Sequence, residues 1–183
     1  MTANLPRLVA LSGAAGSGKT TAADYLIEHY GYTRFKFAGP LKDMLYATGL
    51  THDQIEGTCK EVPTELLCGR TPRYVMQTLG TEWGRDLIGQ DIWVNIWQRR
   101  VTAFAAENPG ARFVVDDMRF ANELEAVRQL GGTRITLHRP DLVNKAGAHQ
   151  SESALPHDDQ ARVIINDGDA AQLHHRVLHS LLA

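Results

Sequence analysis

The sequence Gly-Ala-Ala-Gly-Ser-Gly-Lys-Thr at residues 13–20 decides the fold, because it carries the complete G-x-x-x-x-G-K-T spacing of a phosphate-binding loop. The preceding residues 8–11 form a short apolar run, which is typical of a buried parallel strand. The following residues 20–30 carry apolar residues at helical spacing, and Gly31 is placed to end that helix. Strand, glycine loop and helix N-terminus in this order form an anion site, since the glycines let backbone N–H groups converge on phosphate oxygens. The sequence therefore predicts that the chain binds a nucleoside triphosphate.

Two side chains at the end of this loop have chemistry that suits a magnesium-bound triphosphate. Lys19 would reach the outer phosphates, and the Thr20 hydroxyl would join the magnesium shell. We expect the nucleotide to contact a set of residues from the loop and the first helical turn: Gly13, Ala14, Gly16, Ser17, Gly18, Lys19, Thr20 and Thr21.

Length and charge limit the classes of function. The chain has 183 residues, which suggests a single domain, and its formal charge of -2 gives no basic field for a polynucleotide. Cys59 and Cys68 are too few for a disulfide framework, and with His52 they match no standard zinc spacing. The sequence has no signal peptide and no apolar run as long as a membrane span, so we expect a cytoplasmic protein.

The rest of the chain alternates strands and helices. Five strands are predicted, at residues 8–11, 32–37, 113–115, 133–137 and 162–165. Helices between them imply an α/β fold with a mostly parallel sheet covered on both faces. The segment 32–37 alternates apolar and polar residues, which favours a position near an edge of the sheet. Asn122 is expected to cap a helix through Leu130, and Asp169 to cap the final helix.

Residues 40–108 interrupt this alternation with a long helical insert. Thr71-Pro72 predicts a helix start, since a capping hydroxyl precedes proline in the first turn. Asp91 is expected to cap a second helix of the insert. Its aromatic residues are expected in the core, with the exception of Trp83 and Trp93.

Two carboxylates follow the strand at residues 113–115. Open parallel sheets bind ligands at the carboxyl ends of their strands, and carboxylates there can hold magnesium beside the phosphates. Asp116 is our stronger candidate for the magnesium side, and Asp117 is the alternative. Arg119, two residues further on, is predicted to grip a phosphate group with its guanidinium.

The insert supplies the candidates for binding an acceptor. They are Lys42, Arg70, Arg73, Gln77, Thr81, Arg85 and Trp93. Arginine can bind an acceptor phosphate, and glutamine can read a base edge through paired donor and acceptor groups. Gly80 and Gly84 are four residues apart and leave a bare stripe, which predicts close approach of a ligand or another backbone.

A polar segment at residues 139–159 has the composition of a lid that excludes water from the site. Its candidate groups for the site are Arg139, Lys145, His149, Ser151 and Glu152. We expect Arg139 to contact the nucleotide. Asn166-Asp167-Gly168, after the last strand, is interpreted as a turn near the donor base.

The chain resembles the deoxynucleoside monophosphate kinases of bacteriophages. The matching stretches are Phe-Ala-Gly-Pro-Leu-Lys at 37–42, Gln-Thr-Leu-Gly-Thr-Glu-Trp-Gly-Arg at 77–85, Asp-Ile-Trp-Val at 91–94, Asp-Met-Arg-Phe-Ala-Asn-Glu at 117–123 and His-Gln-Ser-Glu at 149–152. This resemblance implies a P-loop kinase fold and the ATP- and Mg²⁺-dependent conversion of deoxynucleoside monophosphates to diphosphates. It also implies supply of DNA precursors to a replicating phage. Gly39 departs from the pattern, since an acidic residue is expected there.

Other functions stay open from the residues alone. Another P-loop kinase with a small acceptor, such as a dephospho-coenzyme A kinase, would carry the same loop. A nucleotide-dependent switch or assembly protein would hydrolyse nucleotide slowly without an acceptor, and would carry a guanine-reading Asn-Lys-x-Asp segment or a surface for a partner. This sequence contains no Asn-Lys-x-Asp segment. A catalytically idle nucleotide-binding module would have no need of both Lys19 and Asp116. A homodimer is one assembly that the sequence leaves open.

Overall fold

The computed structural model describes residues 5–142 and 161–182. Most of the predicted lid, with Lys145, His149, Ser151 and Glu152, therefore lies outside the described residues.

The fold is built on a five-stranded sheet in which every strand pair is parallel. In chain order the strands are β1 Leu8–Ser12, β2 Tyr32–Arg34, β3 Arg112–Val115, β4 Thr133–His138 and β5 Arg162–Ile165. Their order across the sheet is β2-β3-β1-β4-β5. Four of the predicted strands are confirmed to within one residue. The central β1 is buried at every position, so the loop that follows it starts from the middle of the sheet.

Seven α-helices lie among the described residues. They are α1 Lys19–Tyr30, α2 Gly39–Ala47, α3 His52–Ile55, α4 Pro72–Thr78, α5 Ile92–Glu107, α6 Ala121–Gln129 and α7 Ala170–Leu182. A π-helical segment, Leu79–Ile88, continues directly from α4. Thr71 caps α4 as predicted, since its hydroxyl accepts a hydrogen bond from the Tyr74 N–H at 3.1 Å.

Helices cover both faces of the sheet, which gives the three layers of an α/β fold. On one face α1 and α7 pack against alternate strand residues; the core there includes Val9, Leu11, Leu26, Val114, Ile135, Leu137, Leu173, Val177 and Leu181. On the other face Phe113 of β3 meets the ring of Phe104 from α5 edge-on, with ring centroids 6.1 Å apart.

The edge position predicted for the second strand is confirmed, but the predicted length is wrong. β2 ends at Arg34 and pairs with only three residues of β3. The Phe35 N–H still donates to the Val114 carbonyl at 3.0 Å. β3 ends at Val115, and Phe37 packs against Trp97 with ring centroids 4.4 Å apart.

The chain divides into two compact units. Phe37–Arg99 forms the helical unit, and the other described residues form the sheet unit. α5 begins in the first and ends in the second. Among residues 5–142 and 161–182, no helix has both the length and the apolar character needed to cross a membrane.

Candidate active site

The loop after β1 has a backbone that only glycine adopts easily. Gly13, Gly16 and Gly18 have φ angles of 136°, 81° and 102°, all in the left-handed region that other residues disfavour. A Cβ atom at Gly13 would lie 2.3 Å from the carbonyl oxygen of Leu137 on β4. The loop therefore folds tightly against the carboxyl end of a neighbouring strand, and this close approach requires glycine.

Asn166, directly after β5, ties the loop to the far side of the sheet. Its Nδ2 donates to the Ser17 carbonyl at 2.9 Å, and its backbone N–H donates to the His138 carbonyl at 2.7 Å. A Cβ atom at Gly18 would lie 2.6 Å from that Nδ2 atom, so the amide can approach only because Gly18 has no side chain. Asn166 is 6% exposed, and its side chain and backbone together link the loop with the ends of β4 and β5.

Lys19 lies in an environment that disfavours its positive charge. Its Nζ donates to the carbonyl oxygens of Gly13 and Ala14, both at 2.7 Å. Burial lowers the pKa of Lys19, and the positive charge of Arg119 lowers it further, whereas Asp116 and Asp117 act in the opposite direction. An arriving phosphate would add negative charge that favours the ammonium form of Lys19. These electrostatic interactions also establish that the predicted Lys19, Arg119 and aspartates lie in one neighbourhood.

Asp116 is the more buried of the two aspartates after β3, with a side chain that is 3% exposed. Its Oδ2 atom lies 3.3 Å from Nε of Arg34, at the end of β2. This is an ion-pair distance, although the Nε–H does not have hydrogen-bond geometry. The other oxygen, Oδ1, is buried without a hydrogen-bond partner. Asp117 is half-buried and has contacts of its own, so Asp116 is the carboxylate with an unused ligand position.

The donor set here fits a magnesium ion. Mg²⁺ prefers oxygen ligands and usually retains several waters. Besides Asp116 Oδ1, the hydroxyl oxygen of Ser17 is buried without a hydrogen-bond partner. Thr20 is exposed on the first turn of α1. Each of these oxygens could coordinate the metal or accept a hydrogen bond from one of its waters.

A buried glutamate that the sequence analysis missed shapes the turn carrying Arg119. Glu123, in the first turn of α6, accepts hydrogen bonds at Oε2 from the N–H of Arg119 at 2.7 Å and of Phe120 at 3.1 Å. The prediction that Asn122 caps this helix is wrong, since the N-cap is Phe120 and Asn122 lies inside the helix. Glutamate at the third helical position often satisfies the N-cap N–H, so the sequence did contain this signal.

A cavity of about 420 Å³ opens beside the loop. Its lining combines residues of the loop and α1 with residues that follow β4 and β5 and residues of α7: Gly16, Gly18, Lys19, Thr20, Thr21, Arg139, Asn166, Gly168, Asp169, Ala170 and Leu173. Six residues predicted to contact the nucleotide therefore share one cavity with the turn interpreted as lying near the donor base.

In the helical unit, two of the cations predicted to bind the acceptor pair with glutamates. Lys42 Nζ lies 2.8 Å from Oε1 of Glu56, and both side chains are largely buried. Arg73 Nε lies 2.9 Å from Oε1 of Glu61 in a more exposed pair. A phosphate binding at either cation would have to compete with, or join, the carboxylate.

Arg70 lies at the surface of the helical unit. Its guanidinium lies 5.0 Å from the centroid of the Tyr74 ring, which is a cation–π distance. Gln77 follows on α4 and is half-buried. This arrangement leaves Arg70 open to an anionic or aromatic ligand.

The π-helical segment carries the two buried candidates. Arg85 is 4% exposed, and its Nη1 donates to the Gln90 carbonyl at 2.9 Å. Thr81, four residues earlier, is 9% exposed. Both are largely shielded from solvent, which contrasts with the exposed Arg70.

Trp93 is a core residue of the helical unit, which corrects the expectation that it lies outside the core. It is 3% exposed and belongs to a cluster with Leu41 and Leu45. Its Nε1 donates to the Gly80 carbonyl at 2.7 Å, and a Cβ atom at Gly84 would lie 2.6 Å from its Cζ2. The indole ring of Trp93 therefore packs against the glycine stripe, whereas the sequence predicts a ligand or another backbone there.

Comparisons with known proteins agree with this geometry. A family model described as deoxynucleotide monophosphate kinase matches residues 71–177. A protein of Acanthamoeba polyphaga mimivirus, provisionally named a deoxynucleotide monophosphate kinase, is 37% identical over 158 residues, which cover 81% of each chain. The deoxynucleotide monophosphate kinase of Enterobacteria phage T4 is 27% identical, with 96% of this chain and 98% of that protein covered.

Solved structures agree on the fold. A provisionally named kinase from Chloroflexus aurantiacus superposes with a TM-score of 0.53 at 11% identity, covering 97% of this chain and 96% of that one. At this identity the likeness concerns the fold alone.

Proposed function

The chain belongs to the deoxynucleotide monophosphate kinase family, and we propose that it phosphorylates deoxynucleoside monophosphates with ATP held on the loop at residues 13–20. The observation that carries the proposal is the cluster at the carboxyl edge of the sheet, where Lys19 lies within electrostatic reach of Arg119 and Asp116. A glycine loop, two cations and a buried carboxylate in one place are the parts that phosphoryl transfer requires.

On the donor side, the triphosphate of ATP would accept hydrogen bonds from the loop N–H groups and from the Lys19 ammonium. The cavity beside the loop would receive the nucleoside, with Arg139 and Asn166 among its walls. Its volume of about 420 Å³ is within the range of small-molecule sites.

Magnesium is the expected companion of the triphosphate. Thr20 and Asp116 would hold it directly or through water, with Asp117 as the alternative carboxylate. When bound, the ion neutralises charge on the β- and γ-phosphates. The unpartnered Oδ1 of Asp116 supports this assignment.

The acceptor monophosphate is proposed to bind to the helical unit. Its phosphate would meet a subset of the cations Lys42, Arg70, Arg73 and Arg85, and Gln77 and Thr81 would lie near the rest of the nucleotide. We assign Trp93 a supporting role here, since it is buried and donates to the backbone.

Catalysis would then consist of alignment and charge stabilisation. The acceptor is a phosphate oxygen that is already nucleophilic, so no strong general base is needed. Lys19 and Arg119 would stabilise the negative charge on the transferred group. Because the substrates are DNA precursors, we propose that the enzyme acts in the cytoplasm, that of the infected host if a phage encodes it.

The test is ADP release from ATP with each deoxynucleoside and ribonucleoside monophosphate. We expect turnover with at least one deoxynucleotide and a loss of at least about 100-fold in Lys19→Ala. Arg128→Ala, which removes an exposed ion pair with Glu125 on α6, is the matched control and should keep wild-type activity.

Two outcomes of this assay would contradict the proposal. Activity with none of the monophosphates would refute the function, and retained turnover in Lys19→Ala would refute the role of the loop. Dephospho-coenzyme A in the same panel tests the rival acceptor, and slow hydrolysis without any acceptor would favour the switch protein.

A further inference from the structure

Arg34 is a largely buried cation beside Asp116, and it has no role in the proposed mechanism. It is the last residue of β2, and its side chain is 24% exposed. Its Nη2 donates to Oδ1 of Asp24 on α1 at 2.7 Å, while its Nε lies 3.3 Å from Oδ2 of Asp116. One guanidinium therefore contacts carboxylates from two different elements.

The sheet register explains why these groups meet. Arg34 pairs with Val114 in the parallel β2–β3 ladder, and Asp116 lies two residues beyond Val114. Side chains two residues apart on a strand point to the same face, so Arg34 and Asp116 project from the same face at the carboxyl edge. Asp24 comes from α1, the helix that begins at Lys19. Arg34 thus joins the helix behind the phosphate loop to the end of β3.

The contact with Arg34 gives the two carboxylate oxygens of Asp116 different surroundings. A buried carboxylate is stable only when opposite charge or hydrogen bonds compensate for its lost hydration. Arg34 supplies that charge at Oδ2, whereas Oδ1 has no hydrogen-bond partner. The planar guanidinium can face two carboxylates at once, which a lysine ammonium on a flexible stem does less well. Asp24 thereby restrains the cation that restrains Asp116.

We propose that Arg34 is a positioning residue, which orients Asp116 so that Oδ1 is presented to the magnesium ion of the bound nucleotide or to its waters. This inference rests on the proposed magnesium role of Asp116. Groups that orient metal ligands commonly change metal affinity by about 10- to 100-fold when removed.

The experiment measures ATP affinity by calorimetry with Mg²⁺ and with EDTA, separately from catalysis. In wild type, Mg²⁺ should strengthen ATP binding. In Arg34→Met, ATP affinity in EDTA should match wild type, while the gain produced by Mg²⁺ should fall by about tenfold. Arg128→Met makes the same chemical change in an exposed ion pair on α6 and should preserve the gain.

Arg34→Met leaves the Asp116 charge buried without its partner, so a second variant guards against misfolding. Arg34→Met/Asp116→Asn removes both charges, and its Mg²⁺ gain should be no smaller than that of Asp116→Asn alone, since the two residues act as one unit. Circular dichroism establishes that each variant is folded.

The outcomes separate the two ideas. If wild type and Asp116→Asn show the same Mg²⁺ gain, the proposed role of Asp116 is wrong. If Asp116→Asn loses the gain but Arg34→Met keeps it, only the inference about Arg34 is overturned. An equal loss of ATP affinity in EDTA and in Mg²⁺ would also overturn it, because that pattern indicates a general structural defect.

Discussion

Replacing Gly84 by alanine should destabilise the protein, although alanine is the better helix former. An added Cβ atom would lie 2.6 Å from Cζ2, 2.7 Å from Nε1 and 2.8 Å from Cε2 of Trp93. Ordinary carbon contacts begin at about 3.5 Å, so the ring would have to move by about 0.9 Å. The ring is 3% exposed and its Nε1 is held by the Gly80 carbonyl at 2.7 Å, so that movement disturbs both packing and a hydrogen bond.

The size of the destabilisation combines two unfavourable contributions and one favourable contribution. Overpacking costs about 1–3 kcal/mol. A weakened buried hydrogen bond adds about 1 kcal/mol. The lower backbone entropy of alanine returns about 0.5–1 kcal/mol. We therefore expect Gly84→Ala to lower the free energy of unfolding by about 1–3.5 kcal/mol.

Gly80 provides a matched control within the same segment. A Cβ atom there would meet Leu41 Cδ2 at 3.5 Å, which is an ordinary contact. Gly80→Ala should consequently be neutral or stabilising by up to about 1 kcal/mol. Urea unfolding followed by circular dichroism measures both variants. In a Trp93→Leu background the penalty of Gly84→Ala should largely disappear. If both alanine substitutions change the free energy of unfolding in the same direction, the packing of Trp93 on Gly84 does not determine the shape of this segment.

Two further predictions concern buried polar groups in the sheet unit. Asn166→Ala should lower stability by about 1–3 kcal/mol and weaken ATP binding, because the Ser17 carbonyl loses its donor at 2.9 Å; unchanged melting temperature and ATP affinity would contradict this. Burial raises the pKa of Tyr32 to about 12 from an ordinary value of 10.0, and its hydroxyl donates to the Pro6 carbonyl at 2.6 Å. The neutral phenol therefore contributes stability below pH 10 that is lost as pH rises toward 12, up to about 3 kcal/mol, and Tyr32→Phe should flatten this fall in urea unfolding above pH 10.

The parts of the fold with local signals could be predicted from sequence. The apolar run, the glycine loop and Gly31 locate β1 and α1 to within one residue because turn chemistry and periodicity act over neighbouring residues. The end of β2 could not be predicted in this way. Alternation continues to Phe37, but the strand stops where its partner β3 runs out, and that limit lies elsewhere in the sequence.

The π-helical segment illustrates the same difficulty. Its glycines indicate that something approaches the helix, but they do not identify what approaches. The partner is Trp93, which belongs to the next helix and which the sequence pattern predicts to bind the acceptor. The spacing of Gly80 and Gly84 predicts that one side of the helix is open to close contact. Which group makes that contact depends on tertiary packing.

The candidate site shows the same contrast between local and tertiary signals. Some of its groups would contact ligands, and others position those groups. Residues such as Lys19 and Asp116 are recognisable because their chemistry matches a phosphate or a metal. Their supports are recognisable only in three dimensions: Asn166 bonds the loop from 149 positions away, and Arg34 approaches Asp116 from the edge strand. Each support replaces the water that a polar group loses on burial. Removing Arg34 should therefore change how a ligand is held while the ligand-binding groups themselves remain, which is why affinity with and without Mg²⁺ reports on it more directly than turnover does.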